Sequence, residues 1–423
     1  MAQDDQTNQV PKGRRSWYAQ AYILHSLQQR DWRILWLAGH IWHLTFWMEL
    51  IVLGWLVLEM TGSPFLMSLV GTFRLLPLGI FGFFFGSMGD RFPKRQLLVV
   101  AQVTNTFVTV ALGTILFLDV IHVWQIYVAC FMTGCAWAAD FPIRRALIRE
   151  LIPERSVVNA MSLDAASLTG MNMGGRLIGG GLLALIGVGG SYIFLSLCYV
   201  LGLFLLLRVS KRTLHESSRI RQESVVNGLK QGLQYCLSDP ALRGVLIVTF
   251  GFNLLVSPYM MLTPVFARDV LIVGPILLGL MAGMEGFGAL IGAIVLASAS
   301  NFRRLGLIFL LGTVIVSCAI FVFSFSTIYL LSCTLLFIAG LGLSGFATMQ
   351  TTITTTIARV DMRARAMGVL VLAIGTMPVG IAYVGFLASR VGAPMAVGLN
   401  SLVCVAFLLA VIAFQPGLRR FSV

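Results

Sequence analysis

The sequence predicts an all-α polytopic membrane protein, with twelve transmembrane helices in two pseudo-symmetric bundles of six. Three observations carry this expectation. Hydrophobic residues make up 58% of the chain and charged residues 11%, with a mean hydropathy of +0.89. A soluble globular chain carries about 25% charged residues. Apolar blocks of about 20 residues recur with few charges, the signature of spanning helices rather than of alternating barrel strands. Lys and Arg gather in every second loop between those blocks.

Taken in order, the apolar blocks place helices at 34–59, 66–89, 97–118, 123–143, 157–186, 189–207, 244–266, 275–297, 305–326, 328–357, 366–388 and 394–414. Each is long enough to cross a hydrocarbon core of about 30 Å. The leading segment MAQDDQTNQVPKGRRSWYAQ is polar and holds no apolar run. It does not read as a cleavable signal peptide, so the first helix is expected to direct insertion.

The net charge is +13, and its distribution speaks to topology rather than to nucleic acid. Basic residues cluster at Arg30 and Arg33, at Arg91, Lys94 and Arg95, and at Arg144, Arg145, Arg149 and Arg155. Further clusters are the segment 208–243, Arg303 with Arg304, Arg359 with Arg363 and Arg365, and Arg419 with Arg420. The opposite loops hold only Arg268 and Arg390. Both termini are therefore expected in the cytoplasm. The seven cysteines contain no CxxC pair and mostly lie in apolar blocks, so they read as small buried hydrophobes.

This divides the chain into a cytoplasmic tail (1–33), a first bundle (34–207), a linker (208–243), a second bundle (244–414) and a closing tail (415–423). Within the linker Val225, Val226, Leu229, Leu233 and Leu237 recur at helical spacing, which predicts an amphipathic helix on the membrane face or under the bundle. The halves echo each other. FPKR at 92–95 after the second span corresponds to NFRR at 301–304 after the eighth. PERSVVNAMS from Pro153 corresponds to VDMRARAMGV from Val360.

The stretch GSMGDRFPKR follows the almost wholly apolar LPLGIFGFFF. It resembles motif A of the major facilitator superfamily, with Gly86, Asp90, Arg91, Lys94 and Arg95 at the matching positions. LGWLVLEMTGSPFLMSLVGTFRLLP, FPIRRALIRELIPERSVVNAMSL and the linker are similar to the branch of enterobactin and macrolide exporters. The resemblance implies the major facilitator fold and a cytoplasmic gate in which Asp90 helps to latch the two halves. A carboxylate near a helix N-terminus gains about 0.3–1 kcal/mol from the macrodipole. Gly86 lets the second span approach a neighbour closely, and the basic residues also anchor topology. The second-half copy SASNFRRLG lacks the Asp, so one strong latch is expected. GMNMGGRLIGG (170–180) resembles motif C of drug–proton antiporters, with Arg176 near the Pro position; tight helix packing is the plainer reading of its glycines.

Ionisable residues inside a membrane are costly and mark function by default. Four lie well inside spans: Glu49, Arg74, Arg176 and Glu285, on the first, second, fifth and eighth. Glu49 and Arg74 are expected to form a salt bridge, architectural or functional. Arg176 is then left without a counter-charge, available to an anionic group or a ring face. Glu285 has no evident partner and is the candidate for proton coupling or cation binding; a structural hydrogen bond or an unrecognised Arg partner are the alternatives. Asp140, Arg144, Arg145 and Asp164 are expected to support the inner gate. His40 lies nine residues before Glu49, about half a turn round the helix, so both cannot face one cavity. Asn253, Ser257, Pro258, Tyr259, Thr263, Pro264 and Gln350 are candidates for the second half of the cavity. Trp42, Trp47, Phe73 and Trp137 are candidate ring contacts, although membrane aromatics more often simply pack.

Neither a Walker motif, a nucleophile elbow nor a metal-ligand spacing occurs in the sequence, so no enzyme activity and no cofactor is expected. The reading is a proton-coupled exporter of an amphipathic, siderophore- or drug-like compound, working by alternating access in a bacterial inner membrane. Its expected partners are a small-molecule substrate, a proton or other coupling ion and the lipid bilayer, with no nucleic acid. The expected state is a monomer. An importer, a facilitator, a lipid flippase and a transporter-like scaffold or assembly factor remain open.

Overall fold

A computed structural model of the chain describes residues 26–210, 225–298 and 304–414. Every regular element in them is helical. The first half comprises α1 (Arg30–Thr61), α2 (Pro64–Arg91), α3 (Lys94–Phe117), α4 (Val123–Leu151) and the long element Glu154–Leu207. A straight helix of that length would run about 1.5 Å per residue, far beyond a bilayer. Gly187 breaks it with φ 67° and ψ −174°, a backbone state that an L side chain rarely adopts. The break separates α5 (154–186) from α6 (188–207) and restores twelve crossings.

After the linker helix α7 (Val225–Ser238), the second half comprises α8 (Pro240–Leu255), α9 (Tyr259–Val265), α10 (Pro275–Ser298), α11 (Leu305–Ser324), α12 (Tyr329–Ile357), α13 (Arg363–Ile374), α14 (Met377–Val391) and α15 (Ala393–Phe414). Two of the expected spans are thus each made of two helices. Between α8 and α9 the carbonyl of Phe252 accepts from both Val256 and Ser257. Pro258, which has no N–H to donate, starts the next helix. Between α13 and α14 the interruption lies at Gly375 and Thr376, just before Pro378. The tenth span, α12, runs on to Ile357.

Caps match the sequence chemistry. Ser63 accepts from the Leu66 amide ahead of Pro64. Asp239 accepts from Ala241 and Leu242 at 2.8 and 2.9 Å ahead of Pro240.

The side on which α1 begins is here the proximal face, and the side on which it ends at Thr61 the distal face. The halves meet through α5 against α10, α2 against α14, and α1 and α2 against α9. A Cβ built on Gly180 would stand 2.4 Å from the Pro275 carbonyl and 2.7 Å from Gly279 Cα, and one on Gly279 would stand 2.8 Å from the Arg176 carbonyl. Only glycine permits that crossing of α5 and α10. Farther toward the distal face, Arg268 donates to the Leu58 carbonyl at 2.6 Å and Thr72 to the Pro378 carbonyl at 3.3 Å. Among the described residues every hydrogen bond between the halves lies in the distal part or at mid-depth.

The linker helix forms where the apolar stripe predicts it. Gly232 and Cys236 are buried, whereas Leu233 and Leu237 are exposed. Tyr235 accepts from the Arg359 amide at 3.1 Å, and Arg365 donates to Gln231 at 2.7 Å. A face of α7 offset from the leucine stripe therefore packs under α13. The side chains of Val225 and Val226, and the repeat copy at 301–303, lie outside the described residues.

Candidate functional site

Among the described residues three arginines are buried in the helical core, each with a carboxylate. They differ in how many of their donors the protein uses. A guanidinium offers five N–H bonds in a planar fork and keeps its charge at any ordinary pH.

Arg144 on α4 uses all three of its nitrogens. Its Nε and Nη2 donate to the two oxygens of Asp140, each at 2.8 Å, and Nη1 donates to the Leu35 carbonyl of α1 at 3.1 Å. Gly39 makes room, since a Cβ there would stand 3.0 Å from Nη1. Asp164 is also buried, within electrostatic reach of Arg144 and Arg145. The Arg145 guanidinium lies 4.0 Å over the Phe141 ring. His40 sets Nδ1 2.9 Å from the Trp36 carbonyl. All these contacts lie within the first half, on its proximal side.

Arg74 on α2 and Glu49 on α1 form the expected ion pair, at 2.8 Å, with side-chain exposures of 2% and 1%. Arg74 also donates through Nη1 to Thr133 of α4, and its guanidinium lies 4.7 Å over the Phe46 ring. This pair binds α1, α2 and α4 of one half together.

Arg176 on α5 and Glu285 on α10 correct the expectation. Arg176 is not uncompensated and Glu285 is not alone. Nη1 of Arg176 stands 2.7 Å from Oε2 of Glu285, with side-chain exposures of 5% and 9%. The same Nη1 donates to the Ala282 carbonyl at 3.1 Å. Among the described residues Nε and Nη2 of Arg176 donate no hydrogen bond. The guanidinium lies 4.7 Å over the Trp47 ring. Two residues 109 positions apart carry no local sign that they meet; the glycine-lined crossing of α5 and α10 brings them together.

Tyr259 completes this group. Its ring is buried at the start of α9, and its hydroxyl lies beside the Glu285 carboxylate. A small cavity of about 20 Å³ adjoins the pair on the distal side. One water needs about 10–15 Å³ by that measure. Trp47, Arg176 and Ala282 line it, with Met67, Met260 and Met261. The residues legible from sequence thus include Trp47 and Tyr259, whereas Thr133, Phe46 and the Ala282 carbonyl give no signal beyond helical spacing.

The motif A residues divide. Lys94 pairs with Glu150 at 2.5 Å, and Arg95 donates to the Val209 and Leu207 carbonyls, each at 2.7 Å. These contacts fasten α3 to α4 and to the end of α6. Gly86, Asp90 and Arg91 end α2, and their side chains lie outside the described residues. Of the proposed ring contacts, Trp42 is buried, and Phe73 stacks on Tyr127 at 5.2 Å. Trp137 packs against Phe46 at 5.2 Å.

A family model described as "Transmembrane secretion effector" matches residues 22–421. The uncharacterized MFS-type transporter YfiS of Bacillus subtilis is 24% identical over 46% of this chain and 46% of its own length. The staphyloferrin A transporter of Staphylococcus aureus is 22% identical over 60% of this chain and 64% of its own. The chain thus aligns with less than two thirds of either relative. A POT family transporter in complex with 5-aminolevulinic acid superposes with a TM-score of 0.75 at 10% identity, covering 93% of this chain and 97% of that one. A bacterial homolog of the human lysosomal transporter Spinster, in an inward-facing and unoccupied conformation, gives 0.66 at 14% identity, covering 93% and 98%. These are transporters, not enzymes, and the likeness to the solved structures concerns the fold. The chain belongs to the transmembrane secretion effector family of major facilitator transporters.

Proposed function

We propose that this protein is a secondary active transporter that moves an amphipathic, siderophore- or drug-like organic compound by alternating access, coupled to protons through Glu285. The observation that carries this reading is the Arg176–Glu285 pair, which joins the two halves at 2.7 Å inside the bilayer. A pair within one half can ride unchanged through a rocking motion; a pair between halves must be made and broken. Of its two members only Glu285 can discard its charge, because a guanidinium stays protonated. Protonation of Glu285 therefore weakens the distal junction, and deprotonation restores it.

The secretion-effector family and the run GMNMGGRLIGG support export, with both termini in the cytoplasm of a bacterial inner membrane. The unused donors of Arg176 favour a second reading, uptake, because an anion and a proton bound together travel the same way. Motif A, with Asp90 and Arg91, would latch the proximal face when the distal face opens, and Asp140, Arg144, Arg145 and Asp164 would brace it.

The test is flux in proteoliposomes of the purified protein, with an interior pH dye and an imposed gradient. The panel holds a catecholate siderophore, macrolides, cationic dyes, organic anions and lysolipids. Saturable flux that moves protons through the wild type and not through Glu285→Gln supports the reading. Saturable flux indifferent to the gradient in both removes the coupling, and no saturable flux removes the transport.

A further inference from the structure

We propose that Arg176 is the receptor for a carboxylate of the substrate, that Glu285 occupies this receptor when substrate is absent, and that substrate and proton bind together. This rests on the proton-coupled transport reading and names its substrate class and its sign.

The argument begins with donor use. Arg144 spends three nitrogens on protein acceptors. Arg74 spends one nitrogen on Thr133 and another on Glu49. Arg176 spends one nitrogen, Nη1, on both of its bonds. An arginine fork matches a carboxylate through two parallel N–H bonds. Glu285, reaching across from α10, meets one nitrogen only. The better-matched half of the fork remains open, on a residue that lines the cavity between the halves. The Trp47 face against the guanidinium gives a flat, apolar flank beside the charge. The complementary ligand is a carboxylate carried on an apolar or ring-bearing body.

The electrostatics then set the sign. When a substrate carboxylate takes the fork, Glu285 loses its counter-charge, and two carboxylates share one arginine in a low-dielectric site. One of them has to be protonated or leave. The groups that face Glu285 decide which. Arg176 comes from α5, and the Tyr259 hydroxyl from α9. α12 meets α10 here through Gly340, packed on the Glu285 backbone carbonyl. No further charged group faces it among the described residues. The Tyr259 hydroxyl beside it gives a released Glu285 a neutral hydrogen-bond partner. Glu285 therefore takes a proton as the substrate anion binds, the site keeps one net charge balance, and the pair substrate-plus-proton moves as a unit.

A cationic substrate is the weaker alternative. It would compete for Glu285 and leave Arg176 buried with nothing opposite, at a cost of about 3–5 kcal/mol for a broken buried pair.

The experiment is binding to the purified full chain in a weakly buffered solution with a pH dye. The probes are benzoate, 2-naphthoate and citrate, the neutral amide 2-naphthamide, and a cationic dye. The expected result is proton uptake on addition of a carboxylate, with 2-naphthoate bound about tenfold or more tighter than its amide. Glu285→Gln removes the proton uptake and tightens 2-naphthoate by about tenfold, because no resident carboxylate is displaced. Should Glu285→Gln fail to fold, the sign of the proton change in the wild type decides by itself. Proton release on binding, equal affinity for acid and amide, or no carboxylate binding overturns the proposal. A cationic dye that binds with proton release, and is carried in the flux assay, overturns it while leaving proton-coupled transport standing. Silence in both assays overturns both.

Discussion

Nη1 of Arg176 on α5 and Oε2 of Glu285 on α10 stand 2.7 Å apart, and among the described residues theirs is the ion pair that crosses between the halves. The Glu49–Arg74 and Asp140–Arg144 pairs are as deeply buried but internal to the first half. Burial is therefore not what separates a working charge from an architectural one here. On the proposed mechanism the separation is whether the pair has to break when the halves rock.

Glu49→Gln is accordingly expected to act on stability. It leaves Arg74 with Thr133 and the Phe46 face, and a buried charge without its partner costs about 3–5 kcal/mol. The thermal midpoint of the purified protein falls, while any proton-linked flux that remains keeps its pH dependence. A loss of pH dependence with an unchanged midpoint would contradict this assignment.

Asp140→Asn is expected to lower the midpoint, because Arg144 then loses its bidentate carboxylate and keeps Asp164 only at longer range. Replacing the pair together, Asp140→Leu with Arg144→Met, recovers much of the loss, since removing both charges avoids the uncompensated one. A double variant no more stable than Asp140→Asn would show that the tie from Arg144 to the Leu35 carbonyl outweighs the charge balance.

Gly180→Ala tests the α5–α10 crossing. The added Cβ would stand 2.4 Å from the Pro275 carbonyl, so backbone has to move. The distal junction opens, and a cysteine placed at Ile51 becomes more reactive to a membrane-impermeant thiol reagent. Unchanged reactivity would mean that the helices absorb the methyl without parting.

Arg176→Lys retains a cation and discards the planar fork. The expected outcome is a carboxylate affinity lower by about tenfold with the pH response of the distal face retained. Loss of both together would make Arg176 a structural tie rather than a receptor.

Much of the fold was legible because bilayer physics is strict. Length, hydropathy and the rhythm of Lys and Arg mark the crossings, and Gly187 falls between the fifth and sixth expected spans. The interruptions at Val256–Pro258 and at Gly375–Thr376 were harder to read, since a bundle re-satisfies freed backbone groups that sequence alone leaves open. Glu49 and Arg74 were readable as a pair because consecutive antiparallel helices put them at one depth. Arg176 and Glu285 lie on different halves, and no spacing rule relates them. The linker helix was legible from its stripe; that Gly232 and Cys236 would be the residues buried on its other side, with Gly232 against Arg365 of α13, was not, because close backbone approach leaves no hydrophobic pattern.

The most direct measurement of the central claim places spin labels at Phe65 and Phe386, whose rings are 6.0 Å apart across the distal junction of α2 and α14. Their separation is followed against pH in an otherwise cysteine-free protein. The account predicts close labels at high pH, parting labels as the pH falls, and parted labels at every pH once Glu285→Gln is added. Separations that ignore pH, or that respond alike with and without Glu285, would contradict it.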